Sequence, residues 1–429
     1  MFSRFVSLVA LAATLASSQT TTVLLSPALV TVSNGPNGQS SGVGIVDVTV
    51  DAAAKTVNVK ARLYKLSSAL TAAHFHGPAD IGFTNSSIVT INVETFLLAA
   101  GQTITGVSDA NLALILRGKT YINVHTTLFG SGEISGPVAF EGTGVANLMP
   151  SQETTMNAAS TAYGMGLVSI DATTNLLSGS VRSFAFGSSV PTNIHIHGPA
   201  DIGANTGVWC SIVASPTVTD GTVIGFSCPV AVDATIRADL YAGRYYFNVH
   251  TDVTPAGEIR GQIVFPSTLN SNDVFVANIT GLGVEGRTST SSQGQGSGMV
   301  VFYKGSTSRG VAALSSTGLS SGTTNAHIHG AGGVVVLQLP QKQLASTFQP
   351  FSLSDAAVAA IRSGASNLTG AYFNVHTTTF GSGEINGYIK SWPRPVAPVV
   401  PPANGAGSAS VSLVTLALAA VVSLFAFTA

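Results

Sequence analysis

The feature that most constrains this chain is a histidine pattern that occurs three times. Each copy contains His-x-His, then Asn-Val-His-Thr well downstream, then Gly-Glu-Ile. All nine histidines belong to these copies, so the 429-residue chain is predicted to be a tandem array of one module used three times. We place module 1 at 21–144, module 2 at 145–265 and module 3 at 273–392. The histidines are His74, His76 and His125 in module 1, His195, His197 and His250 in module 2, and His327, His329 and His376 in module 3.

The composition favours an all-β fold and excludes two classes of partner. Charged residues make up 9% of the chain, against a usual ~25%, and glycine is abundant. Segments such as 56–63 alternate apolar and polar side chains, as half-buried strands do. The net charge of -1 comes without a lysine or arginine cluster, so neither nucleic acid nor anionic lipid is expected as a partner. We predict three β-sandwich or barrel-like modules.

A short helical pattern precedes each Asn-Val-His segment. It covers 108–118 in module 1, 233–243 in module 2 and 354–364 in module 3. In each case a Ser or Asp suits the N-cap and a glycine closes the pattern. Each module is therefore predicted to be mostly strand with one short helix.

The spacing of the histidines indicates a metal site in each module. Alternate residues of a strand point to the same face, ~6.5 to 7 Å apart, so both rings of His-x-His can converge on one point. The Asn-Val-His segment would add a third ring from another strand. Three imidazoles suit Cu or Zn, which makes all nine histidines candidate ligands. Alternatively, the same histidines could hydrogen-bond loop backbone and stabilise each module without any ligand.

Two further polar residues recur beside the histidines. A hairpin after Asn-Val-His would return each glutamate to its histidine, where the carboxylate could accept the second imidazole N–H. It could equally pair with a histidine that binds nothing. We assign these residues to the shell around the ligands: Asn123 and Glu133, Asn248 and Glu258, and Asn374 and Glu384.

The order of these motifs resembles the CHRD domain, the repeated module of chordin and of many secreted microbial proteins. The resemblance rests on His-Ile-His-Gly-Pro-Ala at 195–200, Tyr-x-Asn-Val-His-Thr at 246–251 and Gly-Glu-Ile-Arg-Gly-Gln at 257–262. Module 3 departs from it at 331–333, where Ala-Gly-Gly replaces Pro-Ala-Asp, and module 1 at 135–137, where Ser-Gly-Pro replaces Arg-Gly-Gln. The resemblance implies an all-β extracellular module without a settled biochemical activity.

Both ends of the sequence predict export. Residues 1–18 have the charge, apolar run and small residues of a secretory signal peptide. Residues 393–403 form a Pro-rich spacer, and 404–429 have the pattern of a GPI-anchor signal with Asn404 or Gly405 as the attachment residue. A single membrane-spanning tail is the alternative. We expect a secreted protein held at the plasma membrane or cell wall.

Export also bears on the cysteines and on the glycosylation sequons. Cys210 and Cys228 are the two cysteines, and in an oxidising compartment such a pair predicts a disulfide, with two free thiols as the alternative. Sequons begin at Asn85, Asn278 and Asn367, which are predicted glycosylation sites.

These observations support two functional hypotheses. The leading one is a non-enzymatic, surface-anchored protein whose modules bind an extracellular or cell-wall ligand or serve structural roles. The alternative is a copper or zinc protein, an oxidoreductase similar to the copper half of a copper/zinc superoxide dismutase. The zinc-ligand loop and bridging histidine of that enzyme have no counterpart here. The sequence shows no serine-histidine-acid order, phosphate loop or paired carboxylates, so hydrolase and nucleotide chemistry are not indicated.

Overall fold

The computed structural model is all-β, as predicted, with antiparallel sheets and a few short helices. No helix within the described ranges has the length and apolar character needed to cross a bilayer. The signal peptide up to residue 17, the Pro-rich spacer, Asn404, Gly405 and the sequon at Asn367 lie outside the described residues. The structure describes residues 18–27, 40–79, 84–157, 159–213, 221–281, 290–339, 348–364 and 370–392.

Module 1 is built from two four-stranded antiparallel sheets that enclose one apolar core. Its strands are β1 (Gln19–Leu25), β2 (Val43–Asp51), β3 (Thr56–Tyr64), β4 (Leu70–His76), β5 (Ser87–Ile91), β6 (Gln102–Thr105), β7 (Tyr121–Thr126) and β8 (Ile134–Pro137), and its helices are α1 (Val93–Phe96) and α2 (Asp109–Leu116). The first sheet has the order β1-β2-β3-β6 and the second β5-β4-β7-β8. The second sheet carries all three histidines of the module.

Module 2 repeats this architecture. Its strands are β9 (Thr143–Leu148), β10 (Tyr163–Ile170), β11 (Leu176–Phe184), β12 (Pro191–His197), β13 (Val208–Val213), β14 (Val223–Ala231), β15 (Tyr246–Thr251) and β16 (Ile259–Gln262), with helix α3 (Ala234–Tyr241) and a 3-10 turn over Pro150–Gln152. The sheets have the orders β14-β11-β10-β9 and β13-β12-β15-β16. Cys210 on β13 and Cys228 on β14 form the predicted disulfide, which joins the edge strands of the two sheets.

Module 3 joins its strands into one nine-stranded sheet, which is nearly closed into a barrel. Its strands are β17 (Leu269–Thr280), β18 (Gln295–Tyr303), β19 (Arg309–Thr317), β20 (Thr323–His329), β21 (Val335–Leu339), β22 (Gln349–Ser352), β23 (Tyr372–Thr377), β24 (Ile385–Tyr388) and β25 (Lys390–Ser391), with helix α4 (Asp355–Ser363) and 3-10 turns over Pro266–Thr268 and Ala331–Gly333. The order is β21-β20-β23-β24-β17-β18-β19-β22, and β25 pairs with β17. The sheet is continuous because Thr280 on β17 pairs with Asn386 on β24.

Each of the three predicted helices begins directly after its predicted N-cap residue. Ser108, Asp233 and Ser354 each accept a hydrogen bond from a backbone N–H of the first turn of α2, α3 and α4. Helix α4 ends at Gly364, which has the left-handed conformation that glycine allows. Module 1 also has the four-residue helix α1, in addition to the predicted helix α2. Asn92 caps that extra turn.

Modules 1 and 3 contact each other even though module 2 separates them in the sequence. A shared apolar cluster contains Leu24, Val43 and Ile45 of module 1, and Met299 and Val301 of module 3. Two serines of module 3 donate hydrogen bonds across the contact, Ser297 to the Ser41 carbonyl at 2.5 Å and Ser315 to the Ser40 carbonyl at 2.8 Å. Two modules that are not adjacent in the sequence are therefore packed against each other.

Modules 2 and 3 are linked by an ion pair. Both oxygens of Asp201 accept hydrogen bonds from the Arg309 guanidinium, at 2.8 and 3.1 Å. Arg244 of module 2 lies 3.6 Å from the same carboxylate. A planar guanidinium that donates two hydrogen bonds to one carboxylate gives this contact a defined orientation.

Candidate metal centre

The pairing of two neighbouring strands places the histidines of each module together. In module 1, β4 pairs with β7 so that His74 lies opposite Asn123 and His76 lies opposite Tyr121. Between the two histidines, Phe75 is fully buried in the core. His74 and His76 therefore point away from the core, on the same face as His125. The same register is present for β12 with β15 and for β20 with β23.

The ring nitrogens are close enough to bind one ion. In module 1, His74 Nδ1 lies 3.2 Å from His125 Nε2. The corresponding distances are 3.2 Å between His195 and His250 and 3.3 Å between His327 and His376. Two nitrogens bound to one Zn²⁺ at ~2.0 to 2.1 Å would lie about 3.3 Å apart in a tetrahedral site. In all three modules, one ligand atom from each histidine lies within 4.8 Å of the other two.

Backbone carbonyls determine which nitrogen of two rings is protonated. His76 Nδ1 is 2.8 Å from the Asn85 carbonyl, and His125 Nδ1 is 3.0 Å from the Gly130 carbonyl. Because a carbonyl only accepts, both Nδ1 atoms carry the proton and both neutral rings keep an Nε2 lone pair. His76 Nε2 is buried without a hydrogen-bond partner. Two imidazoles are thus held in the tautomer that a metal ligand requires.

Modules 2 and 3 hold their rings in the same way. In module 3 the Nδ1 of His329 donates to Gly333, which is only four residues away, whereas the corresponding carbonyl in the other modules is nine residues away. The Ala331–Gly333 turn therefore replaces the longer Pro-Ala-Asp loop without loss of the hydrogen bond. The remaining pairs are His197 with Thr206 at 3.0 Å, His250 with Pro255 at 2.9 Å and His376 with Gly381 at 2.9 Å.

The environment of the histidines favours their neutral form. Burial, followed by the two neighbouring imidazoles, lowers the pKa of His74, and it lowers the pKa of His195 and His327 to about 4. A metal ion competes with protons for the same nitrogens. At neutral pH these three rings carry no charge, so a cation would meet little proton competition from them.

A tyrosine supports the second histidine of each cluster, and its role was not predicted from the sequence. Tyr246 stacks on His197 with ring centroids 5.1 Å apart and planes 7° apart. The cross-strand register explains the contact, because these two residues lie directly opposite each other. The repetition of tyrosine two positions before each Asn was the available signal. The equivalent stacks are Tyr121 on His76 at 5.0 Å and Tyr372 on His329 at 4.7 Å.

The three recurrent asparagines lie on the same face as the histidines and pack against glycines. Asn123 is buried, and its Nδ2 donates to the Ser131 carbonyl at 3.0 Å. Gly132 has a positive φ of 127°, and a Cβ there would lie 2.2 Å from Asn123 Oδ1. Only glycine fits this position, which explains the Gly of Gly-Glu-Ile. Gly257 and Gly383 pack against Asn248 and Asn374 in the same way.

The three glutamates accept hydrogen bonds from hydroxyl groups rather than from imidazoles. The predicted hairpin forms, and the Glu133 N–H donates to the Val124 carbonyl at 2.7 Å. The buried Glu133 carboxylate then accepts from Ser40 at 2.7 Å, Ser67 at 2.9 Å and Thr126 at 2.7 Å. Backbone carbonyl groups, and not these carboxylates, accept the Nδ1–H of His76 and His125. Glu258 and Glu384 are buried and bonded to Thr251 and Thr377 in the same way.

Two of the three sequons lie in the described ranges. Asn85 is in the loop beside the first cluster, where its Nδ2 donates to the Pro78 carbonyl at 2.6 Å. Asn278 is exposed on β17. Both side chains are on the surface of their modules, so the structure is compatible with modification at either position.

The arrangement fits a transition-metal ion. Among the residues that the structure describes, the groups of three or more metal-binding side chains are the three histidine clusters. Each offers three imidazole nitrogens, which suit Cu or Zn, and part of each cluster faces solvent. Three protein ligands would leave a further coordination position for water or another small ligand.

Comparison with known proteins agrees with the repeat. The family model described as CHRD domain matches the chain three times, at residues 12–138, 145–263 and 268–389. A search of curated proteins finds no match.

Proposed function

Because the chain belongs to the CHRD domain family, we propose that it is an extracellular, non-enzymatic metal-binding protein in which each module holds one copper or zinc ion. Domains of this family are typically extracellular and serve as binding or structural modules. The observation that carries the proposal is the threefold repetition of three converging imidazoles, two of them fixed by carbonyl groups.

The residues of each cluster would have distinct roles in holding the ion. The first histidine would bind through Nδ1, which faces the third ring. The second and third would bind through Nε2, since Nδ1 of each is occupied by a carbonyl. In the metal-free protein the Nδ1 of the first ring donates to the third ring, so binding through Nδ1 would require that proton to move to Nε2 of the same ring. Metal affinity should fall at a pH low enough to protonate the imidazoles, because an imidazolium has no lone pair for the ion.

Stoichiometry tests this proposal. The purified full-length chain, stripped with a chelator, should bind three equivalents of Zn(II) or Cu(II) in a calorimetric titration. His125→Ala should reduce this to two, addition of His250→Ala to one, and addition of His376→Ala to none. Three histidine clusters provide their own controls in this series, because each variant leaves the other modules intact. A triple variant that binds as much metal as the unaltered chain would refute the proposal.

A stability measurement separates metal binding from a purely structural role. Each His→Ala variant should be compared with the unaltered chain by thermal unfolding in the presence of EDTA and of Zn(II). If the histidines are ligands, Zn(II) should raise the Tm of the unaltered chain more than that of the variants. Equal losses of stability with and without metal would indicate that the rings serve only the fold.

We also propose that the protein is displayed at the cell surface, where it meets an extracellular or cell-wall ligand. The supporting observation is the sequence itself, which has an anchor-like pattern at 404–429 after a Pro-rich spacer. Treatment of intact cells with a phosphatidylinositol-specific phospholipase should release the protein. Recovery of a chain that retains residues 411–429 would contradict this form of attachment.

A further inference from the structure

Module 2 contains one buried cation that lies next to its histidine cluster. Arg260 is fully buried on β16, and its Cζ lies 3.5 Å from the centre of the Tyr246 ring. Tyr246 in turn stacks on His197. Since β15 lies between β12 and β16, the tyrosine stands between the guanidinium and the imidazole. Arg260 therefore packs on the Tyr246 ring, and that ring stacks on His197.

The same side chain also holds the loop that fixes the His197 tautomer. One Arg260 nitrogen donates to the Ala204 carbonyl at 3.0 Å, and another to the Asp201 carbonyl at 3.3 Å. A few residues further along this loop, the Thr206 carbonyl accepts from His197 Nδ1 at 3.0 Å. A single side chain therefore restrains both the stacking partner of His197 and its hydrogen-bond acceptor.

Among the described residues of modules 1 and 3, an uncharged side chain takes the place of Arg260. The residue opposite the recurrent asparagine is Arg260 in module 2, Ser135 in module 1 and Asn386 in module 3. Neither serine nor asparagine can reach the ring and the loop together, because both side chains are short and carry fewer donors. The three clusters share their ligands but differ in what surrounds those ligands.

We propose that Arg260 is a positioning residue that makes module 2 the tightest of the three metal sites. The inference rests on the proposed metal binding. A ligand that is already held in its bound orientation loses less conformational entropy when the ion arrives. Residues around metal ligands typically change affinity by about 10- to 100-fold when they are removed.

The charge of Arg260 acts in the opposite direction, since one cation disfavours another nearby. The structure offsets part of that charge, although burial raises the pKa of Glu153 to about 7 and so leaves that group partly protonated at neutral pH. Gln262 Oε1 accepts from Arg260 at 2.7 Å, and Glu153 interacts with the guanidinium electrostatically. If positioning dominates, substitution of Arg260 should weaken metal binding. If charge repulsion dominates, the same substitution should strengthen it.

The test uses full-length chains in which one complete cluster remains. His125→Ala with His376→Ala leaves module 2, and the other two pairs of substitutions leave module 1 or module 3. Zn(II) alone is titrated against a competing chelator. The chain with only module 2 complete should bind at least about tenfold more tightly than the others, and Arg260→Ser should weaken it by about 10- to 100-fold. Arg237→Ser, on α3 outside the cluster, should leave the affinity unchanged.

A second measurement detects positioning in the metal-free protein. Nuclear magnetic resonance should show a slowly exchanging Nδ1 proton on His197 that Arg260→Ser makes exchange faster. Serine is tolerated at the equivalent place in module 1, so the variant should fold. Arg260→Lys keeps the charge but not the planar fork, and it should also bind more weakly than the unaltered module.

The outcomes separate the two proposals. If no chain binds Zn(II), the proposed function fails. If all three modules bind with equal affinity, or if Arg260→Ser binds as tightly as the unaltered module or more tightly, metal binding stands and the role of Arg260 is refuted. Full retention of affinity by Arg260→Lys would show that charge rather than positioning matters, which also overturns the inference.

Discussion

At the scale of single residues, the buried glutamates show how a repeated polar residue can serve the fold. Glu258 is almost fully buried. Burial by itself favours the protonated form of this carboxyl group and raises its pKa. Hydrogen bonds from Ser160, Thr254 and Thr251 lower the pKa further than burial raises it, so the net result lies below the ordinary value. The carboxylate form therefore stabilises module 2.

The sign of this shift predicts an acid-dependent loss of stability. The pKa of this carboxyl group is lower in the folded than in the unfolded state, where a glutamate has a pKa of about 4.3. Its ionised form therefore stabilises the fold at pH values above the unfolded-state pKa. That stabilisation is lost as the pH falls through the folded-state pKa. Glu258→Gln should lower the free energy of unfolding by about 2 kcal/mol at pH 7 and flatten its decline between about pH 5 and pH 3. Denaturant titrations across this range measure both effects.

The control for this prediction is Glu141→Gln, which changes an exposed glutamate of module 1. It should alter stability by no more than about 0.5 kcal/mol. Both variants keep every histidine of the chain, so a difference in pH dependence between them reports the glutamate itself. Identical pH profiles for Glu258→Gln and the unaltered chain would contradict the assigned role.

The sequence predicted the clustering geometry better than it predicted the neighbours of each cluster. Strand periodicity was enough to place His74 and His76 on one face, because it depends only on local backbone geometry. The partner of Glu133 was not predictable, because Ser40 and Ser67 come from distant segments that the fold brings together. The stack of Tyr121 on His76 depends on the register between two strands, which a sequence does not determine.

At the scale of secondary-structure elements, the disulfide joins two edges that hydrogen bonds leave apart. Cys210 is on β13 and Cys228 on β14, the edge strands of different sheets. The cysteine spacing predicted the bond, but its role in connecting the sheets became clear only from the strand order. The N-caps of α2 and α4 were predictable for a simpler reason, since a cap contacts its own helix.

Removal of the disulfide should destabilise module 2 in particular. The bond closes a loop with a sequence separation of 18, for which chain entropy gives about 3 kcal/mol. In the double variant Cys210→Ala with Cys228→Ala, the unfolding midpoint followed by Trp209 fluorescence should move to a lower denaturant concentration. Trp209 reports on this region because it is next to Cys210 on β13. Trp392, at the end of module 3, provides the internal control. An equal shift at both tryptophans would argue against a local effect.

At the scale of the whole molecule, the contact between modules 1 and 3 makes three similar modules into one structure. Its residues could not be recognised from the sequence, because an apolar side chain in a strand can face its own core or a neighbour. Arg62 illustrates the difficulty. It lies on β3 where the alternating pattern predicts an exposed residue, but it is buried and donates to the backbone carbonyl groups of Trp392 and Ser271.

This contact predicts that a substitution in module 1 will also lower the stability of module 3. Ile45 is buried on β2 within the shared apolar cluster, so Ile45→Ala removes packing from both modules and should cost about 2 to 5 kcal/mol. Hydrogen exchange should show reduced protection on β18 and β19 as well as on β2. Ile91→Ala is the matched control, because Ile91 is equally buried but packs in the core of module 1 alone, and its effect should be largest within that module. If Ile45→Ala leaves exchange on β18 and β19 unchanged, the two modules are independent in solution and the shared cluster does not couple their stability.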